Sequence, residues 1–124
     1  MAHATYADNQ LLGIAGEGFA TGVYEGAGYE LVESRARTRS GEIDIVLEAP
    51  DGAAVFVEVK TRRGAAFGAA EAVTPKKLRT MRRCAAEWLE GKGYRRVRLD
   101  VAEVLFSGAD VAIEIYEDVD DGAC

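Results

Sequence analysis

Histidine, cysteine and long apolar runs are all scarce in this chain, and each scarcity removes a class of function. The one histidine, His3, lies near the N-terminus and offers no catalytic constellation, and no Ser-His-Asp or Cys-His arrangement is evident. The two cysteines, Cys84 and Cys124, have neither paired nor metal-ligand spacing, so a disulfide framework is not expected. No apolar stretch approaches the length of a membrane span, and "MAHATYADNQ" lacks the basic segment and apolar core of a secretory leader. No membrane partner is expected, and the expected location is cytoplasmic. No glycine-rich phosphate loop is evident either.

What is present is charge, unevenly spread. The net charge is −6, yet all fifteen Lys and Arg lie between Arg35 and Arg98, where only eight acids fall. The flanks hold the other thirteen acids and no basic residue. Net charge governs solubility and long-range steering, whereas contact with phosphate depends on the local patch. A solvated basic helix balanced by acidic ends is the plain alternative.

The length fits one domain, 1–124, with a core from about 8 to 116 and a polar tail, 117–124, expected to fray. Apolar residues three and four apart (Leu11, Leu12, Ala15, Phe19, Val23, Tyr24) predict a helix over 8–26, ended by "GAGY". Strands are expected over 29–39, 42–49 and 54–62. A helix should open at Thr74 with Pro75 in its first turn and bury Leu78, Met81, Ala85, Trp88 and Leu89, with Lys77, Arg79 and Arg83 largely outward. "YRRVRLDVAEVLFSG" and "ADVAIEIYED" predict two closing strands. The order is α-β-β-β-α-β-β.

The informative stretch is "VFVEVKTR" (55–62). Alternation puts Phe56, Glu58, Lys60 and Arg62 on one face and Val55, Val57, Val59 and Thr61 on the other. In "EIDIVLEA" (42–49), Glu42, Asp44, Val46 and Glu48 form one set and Ile43, Ile45 and Leu47 the other. If the two strands form a hairpin, their apolar faces must coincide. A three-residue loop at Pro50–Gly52, with Gly52 left-handed, then sets Asp44 opposite Glu58 and Glu42 opposite Lys60. A two-residue turn at Asp51–Gly52 would instead place Asp44 against Val59, among aliphatics, and a two-residue slide of the ladder stays open.

Opposed carboxylates with Cβ atoms about 5 Å apart repel. A hard divalent cation would resolve the conflict, since Mg²⁺ takes oxygen ligands from one or two carboxylates, waters and phosphate. Lys60, two residues along the strand, reaches the same space. The bland alternative is a solvated strand face with a cross-strand ion pair.

"GEIDIV", "VFVEVKTR", "FGAAEAVTPKK" and "RLDVAEV", with "GIAGEGFA" near the start, resemble the YraN-like family of bacterial endonuclease-related proteins. The resemblance runs in order from about Leu12 to Val104. Through that family the chain is similar to the PD-(D/E)XK superfamily, which includes restriction enzymes and Holliday-junction resolvases. The implied fold is α/β, a restriction-endonuclease-like α-β-β-β-α-β core whose mixed central sheet is flanked by helices, here with an extra C-terminal strand. The implied catalytic residues are Glu17, Asp44, Glu58 and Lys60. Asp44, Glu58 and the Val59 backbone carbonyl would hold Mg²⁺ or Mn²⁺, and Glu17 a water or second metal. Lys77 falls where some superfamily nucleases carry a polar helix residue near the scissile phosphate. Ile43 stands in place of the motif's proline, and Ser34 where relatives commonly have asparagine.

Arg62, Arg63, Lys76, Lys77 and Arg39 are candidate nucleic-acid contacts, while Trp88 and Phe67 are expected to pack. The function expected on these grounds is metal-dependent hydrolysis of DNA phosphodiesters, in branched or structured DNA, with a homodimer by analogy with resolvases. Two other readings stand beside it: a nucleic-acid-binding module of nuclease fold with little or no catalytic activity, and a protein-interaction domain whose polar strand face is an ion-pair network.

Overall fold

A computed structural model describes residues 6–64 and 74–120; His3, Phe67 and Cys124 lie outside them. Helix α1 (Tyr6–Gly26) precedes strands β1 (Glu30–Thr38), β2 (Gly41–Glu48) and β3 (Ala54–Arg63). Helix α2 (Pro75–Leu89) follows, then β4 (Val97–Ser107) and β5 (Asp110–Tyr116). The strands form one sheet in the order β1-β2-β3-β4-β5. The β3–β4 pair is parallel and joined through α2, while the other neighbours are antiparallel. The fold is therefore mixed α/β, with the expected α-β-β-β-α-β order and one further C-terminal strand.

Alternation along β3 sorts the helices onto opposite faces. Val55 and Val57 pack with Ala20 and Tyr24 of α1, and with Ile45, Leu47, Ala102 and Val104. Ala54 and Phe56 pack with Cys84, Ala85 and Trp88 of α2, and with Val46 and Leu99. Phe56 is fully enclosed and meets Trp88 edge-on at 5.5 Å. Burial of such a ring contributes roughly 1.5–3 kcal/mol. Among the described residues no helix is long and apolar enough to cross a membrane.

The α1 contact departs from the expected stripe. Gly16, Ala20 and Tyr24, four residues apart, form the buried line, whereas Leu11 is 65% exposed and Ala15 is exposed too. Gly16 decides this, because a Cβ there would collide with the Thr61 side chain on β3. Only glycine lets the helix approach so closely. The closing contacts are made further along, where the Tyr24 carbonyl accepts from the Ala27 and Tyr29 N–H groups at 2.9 and 3.1 Å. Gly28 takes φ +93° in that turn.

At α2, the Thr74 hydroxyl accepts from the Lys77 N–H at 3.0 Å and Pro75 sits in the first turn, as expected. The C-terminal segment is not a frayed tail over its described part. The Val119 N–H donates to the Leu99 carbonyl at 2.8 Å, Val119 packs into the α2-side core, and Asp120 pairs with Arg82. Residues 121–124 lie outside the described residues.

Candidate functional site

The β2–β3 hairpin closes through Pro50–Gly52. The Ala49 N–H donates to the Ala53 carbonyl at 2.9 Å, and Gly52 adopts φ +89°. The rungs are Glu48–Ala54, Leu47–Val55, Val46–Phe56 and Ile45–Val57. Continued by one residue, this register brings Asp44 to Glu58, as the matching of apolar faces requires. The regular ladder stops there, however. Asp44 instead accepts the Val59 N–H on its Oδ2 at 2.8 Å. No Glu42–Lys60 rung forms, and Glu42 is paired with Arg37 of β1 in both register and charge.

Asp44 marks an irregularity on its other side as well. The β1–β2 ladder has rungs at Ser34–Ile45 and Ala36–Ile43 but none at Asp44, and the facing Arg35 has φ +50°. A non-glycine residue in that region signals local strain, which gathers at functional sites. The side-chain parity changes at the same place. Ile45 and Leu47 join the α1-side core, while Ile43 joins the α2-side core instead of sharing their face. Arg35 and Arg39 turn to different helices. Arg35 turns to Glu17 on α1 at 3.1 Å, and Arg39 makes two 3.0 Å bonds to Glu90 beyond α2.

These distortions gather the acids. Glu58, with its side chain only 14% exposed, lies on the α2 face of β3 and pairs with Lys77 Nζ at 2.9 Å. Lys77 thus points into the site rather than outward, and it is Lys77, not Lys60, that meets a carboxylate. Asp44 is pushed from its ordinary 3.8 up to about 7. Burial is the main cause, followed by the Glu58 charge, with a smaller push from Glu17. The Val59 N–H and Lys77 act in the opposite direction. Glu17 comes near because Gly16 brings α1 down onto β3, but its carboxylate is held by Arg35.

Asp44 and Glu58 line a cleft of about 30 Å³ with Glu42, Phe56, Lys77 and Thr80, room for an ion or a water. It shares Glu42 with a broader groove of about 580 Å³ between α1 and β1, bordered by Ile14, Glu17, Arg35 and Arg37. A hollow of about 420 Å³ at the far end of β2 and β3 is lined by Glu48, Asp51, Tyr94 and Arg96, and its Asp51 and Arg96 pair with each other.

The donor set suits a hard divalent cation. Asp44 Oδ1 and Glu58 Oε2 have no protein partner among the described residues, and every fully buried side-chain oxygen there has one, so both meet solvent. No group of three or more His, Cys, Asp and Glu side chains converges among the described residues. Two carboxylates are therefore what the described residues offer a cation here, and its other positions would fall to water, backbone or phosphate oxygens.

The other singled-out cations divide. Lys60 follows Glu58 on the same strand face, opposite Glu103 of β4, and has no side-chain hydrogen bond or ion pair among the described residues. Arg62 meets Glu103 at 3.3 Å. Arg63 and Lys76 are exposed.

Two buried acids were not singled out from sequence. Glu103 lies 1% exposed beside Lys60 and Arg62. Asp100, fully buried, accepts from the Tyr24 hydroxyl (2.8 Å), from Arg98 twice (both 2.9 Å) and from the Asp118 N–H (3.0 Å). Burial and the Asp100 charge hold the Tyr24 hydroxyl far above its ordinary range, so it stays a donor. The signal was available in "RLDVAEVLF", where Asp100 and Glu103 each interrupt an otherwise apolar face.

The uncharacterised protein family UPF0102 matches residues 16–104, a span that includes Glu17, Asp44, Glu58, Lys60 and Lys77. A UPF0102 protein of Corynebacterium efficiens is 47% identical over 118 residues, covering 94% of this chain and 97% of its own. One from Corynebacterium diphtheriae is 39% identical over 121 residues, covering 97% and 99%. One from Rhodococcus jostii is 43% identical over 116 residues, covering 90% and 98%. Among solved structures, a repair endonuclease from Pyrococcus abyssi aligns with a TM-score of 0.40 at 16% identity. It covers 72% of this chain, which spans about a third of that protein (35%). So distant a likeness supports no conclusion about activity.

Proposed function

The chain belongs to the uncharacterised protein family UPF0102, and on that premise we propose that it is a metal-dependent nuclease hydrolysing DNA phosphodiester bonds. The observation that carries the reading is the approach of Asp44 to Glu58 where the β2–β3 ladder ends and the β1–β2 ladder lacks a rung. Two acids are held together there at the cost of a strained Arg35 and a carboxylate pushed to about 7. A structural ion-pair network would not need the second acid.

Asp44 and Glu58 are the residues that would hold Mg²⁺ or Mn²⁺. The Val59 carbonyl is a further oxygen on the same side of β3, since the N–H and C=O of one strand residue point toward the same neighbour. The cation, when bound, supplies neutralising charge for the phosphate and lowers the pKa of water. The chain's own part is positional and electrostatic. Asp44 is fixed by the Val59 N–H. Lys77 is held at the cleft by Glu58 and can turn its charge to a phosphate oxygen as negative charge develops. Lys60, with no carboxylate bond among the described residues, orients the attacking water or stabilises the pentavalent phosphorus. Glu17 holds a water at the α1 side.

A second reading, a binding module of nuclease fold, is favoured by one feature: Glu58 already has Lys77 and Asp44 already has Val59. The two are separated by incubating the protein with linear, single-stranded and four-way-junction DNA in Mg²⁺, Mn²⁺ or EDTA. Products that need metal and vanish in Asp44→Asn and Lys60→Ala support the nuclease. Salt-sensitive binding without products supports the module, and neither result would end both readings.

A further inference from the structure

We propose that the outer face of α2 carries a phosphate track, formed by Lys76, Arg79 and Arg83, which holds the backbone of a nucleic acid beside the Asp44–Glu58 cleft. This rests on the proposed nucleic-acid partner but not on hydrolysis. Spacings of three and four place these residues on one stripe of the helix. All three are exposed, and none has a side-chain hydrogen bond or ion pair among the described residues. On the same helix, Lys77 and Arg82 each hold a carboxylate, Glu58 and Asp120. Among the described residues, then, these two cations of the helix are matched by carboxylates and those of the stripe are not.

The start of the stripe also runs against the helix's own field. A helix N-terminus carries partial positive charge and favours acids, whereas its C-terminus favours bases. In α2 the first turn has no acid and the last turn no base, while Lys76 and Lys77 stand in the first turn. Lys76, at the positive end, burdens the isolated helix and gains value when an anion is present. Lys76 and Arg83 are the i−4 and i+3 neighbours of Thr80, which lines the cleft. The stripe therefore borders its mouth. From Lys76 to Arg83 the helix rises about 10 Å at 1.5 Å per residue. That matches about three phosphate-to-phosphate steps of a strand at roughly 3.4 Å per step along a duplex axis. Contacts of this kind position a backbone and do not read bases.

The test is the triple variant K76Q/R79Q/R83Q, with binding to a labelled 20-base-pair duplex and to a single strand of equal length followed by fluorescence anisotropy in EDTA. The expected result is affinity lower on the order of 10²-fold at about 0.1 M salt. The slope of log affinity against log salt should fall by nearly 3, at about 0.9 per lost phosphate contact. Losses on both substrates, or on the duplex alone, support the track. Unaltered circular dichroism and melting show that the variant is folded. Wild-type binding that the variant fully retains overturns the track and leaves the nuclease reading standing. No binding of either nucleic acid by the wild type overturns both. A wild type that binds polyglutamate but no nucleic acid would assign the stripe to an acidic protein instead.

Discussion

Replacing Asp44 by asparagine should make the protein more stable at pH 8, and by an amount that grows with pH. In the fold this carboxyl group is raised from 3.8 to about 7, so the native state keeps a proton that the unfolded chain has released. Below the unfolded value both states are protonated and nothing is lost. As pH rises from about 4 to about 7, stability falls by about 1.4 kcal/mol per unit. Above the folded value the penalty is complete. A shift of this size sets an upper bound of about 4 kcal/mol, which relaxation and water entry will lower. Asparagine keeps an oxygen to accept the Val59 N–H and carries no charge to be repelled by Glu58. Even 2 kcal/mol would separate the melting temperatures by roughly 6–12 °C. The assay is thermal or urea unfolding of both proteins from pH 4.5 to 8.5, without divalent metal. A small difference at pH 4.5 that widens steadily up to about pH 7 and then levels off, with the variant higher, is expected. A stability difference that does not change with pH would refute the burial-and-repulsion account of Asp44. Added Mg²⁺ should close the gap at pH 8 by stabilising the wild type alone.

Three further outcomes follow from the packing and the polar networks. Gly16→Ala should destabilise by about 1–3 kcal/mol in denaturant unfolding, since the new methyl meets Thr61, and Thr61→Ala in the same chain should recover part of it. Tyr24→Phe should lower stability by about 1–3 kcal/mol by removing one donor from buried Asp100, and an unchanged midpoint would mean that Arg98 and the Asp118 N–H suffice. Lys77→Met should leave Glu58 without its cation, tightening Mn²⁺ binding in calorimetry while slowing cleavage; equal affinity in both proteins would remove Lys77 from the site.

The hairpin that builds the site was legible because two constraints agree. Apolar faces on both strands and the turn residues of Pro50–Gly52 demand the same register, and each is local. The α1 stripe was not, because Leu11 and Ala15 are as apolar as Ala20. What selects the buried line is the steric demand of Gly16 against Thr61, a residue more than forty positions away. The reversal of Ile43 to the α2 side was equally hidden. Alternation assumes a regular strand, and the break at Asp44 arises from cross-strand competition for the Val59 N–H. Lys77 looked like a solvent-facing helix residue because its partner, Glu58, belongs to another element. Asp100 and Glu103 were readable in principle as acids set into apolar faces, but their partners Tyr24, Arg98 and Arg62 were not.

The most direct test is a crystal of the protein soaked in Mn²⁺ and measured at the manganese absorption edge. A single anomalous peak about 2.1 Å from both an Asp44 and a Glu58 oxygen is the predicted result, with no peak in Asp44→Asn. Crystals that show no manganese between these two carboxylates at saturating concentration would contradict the account.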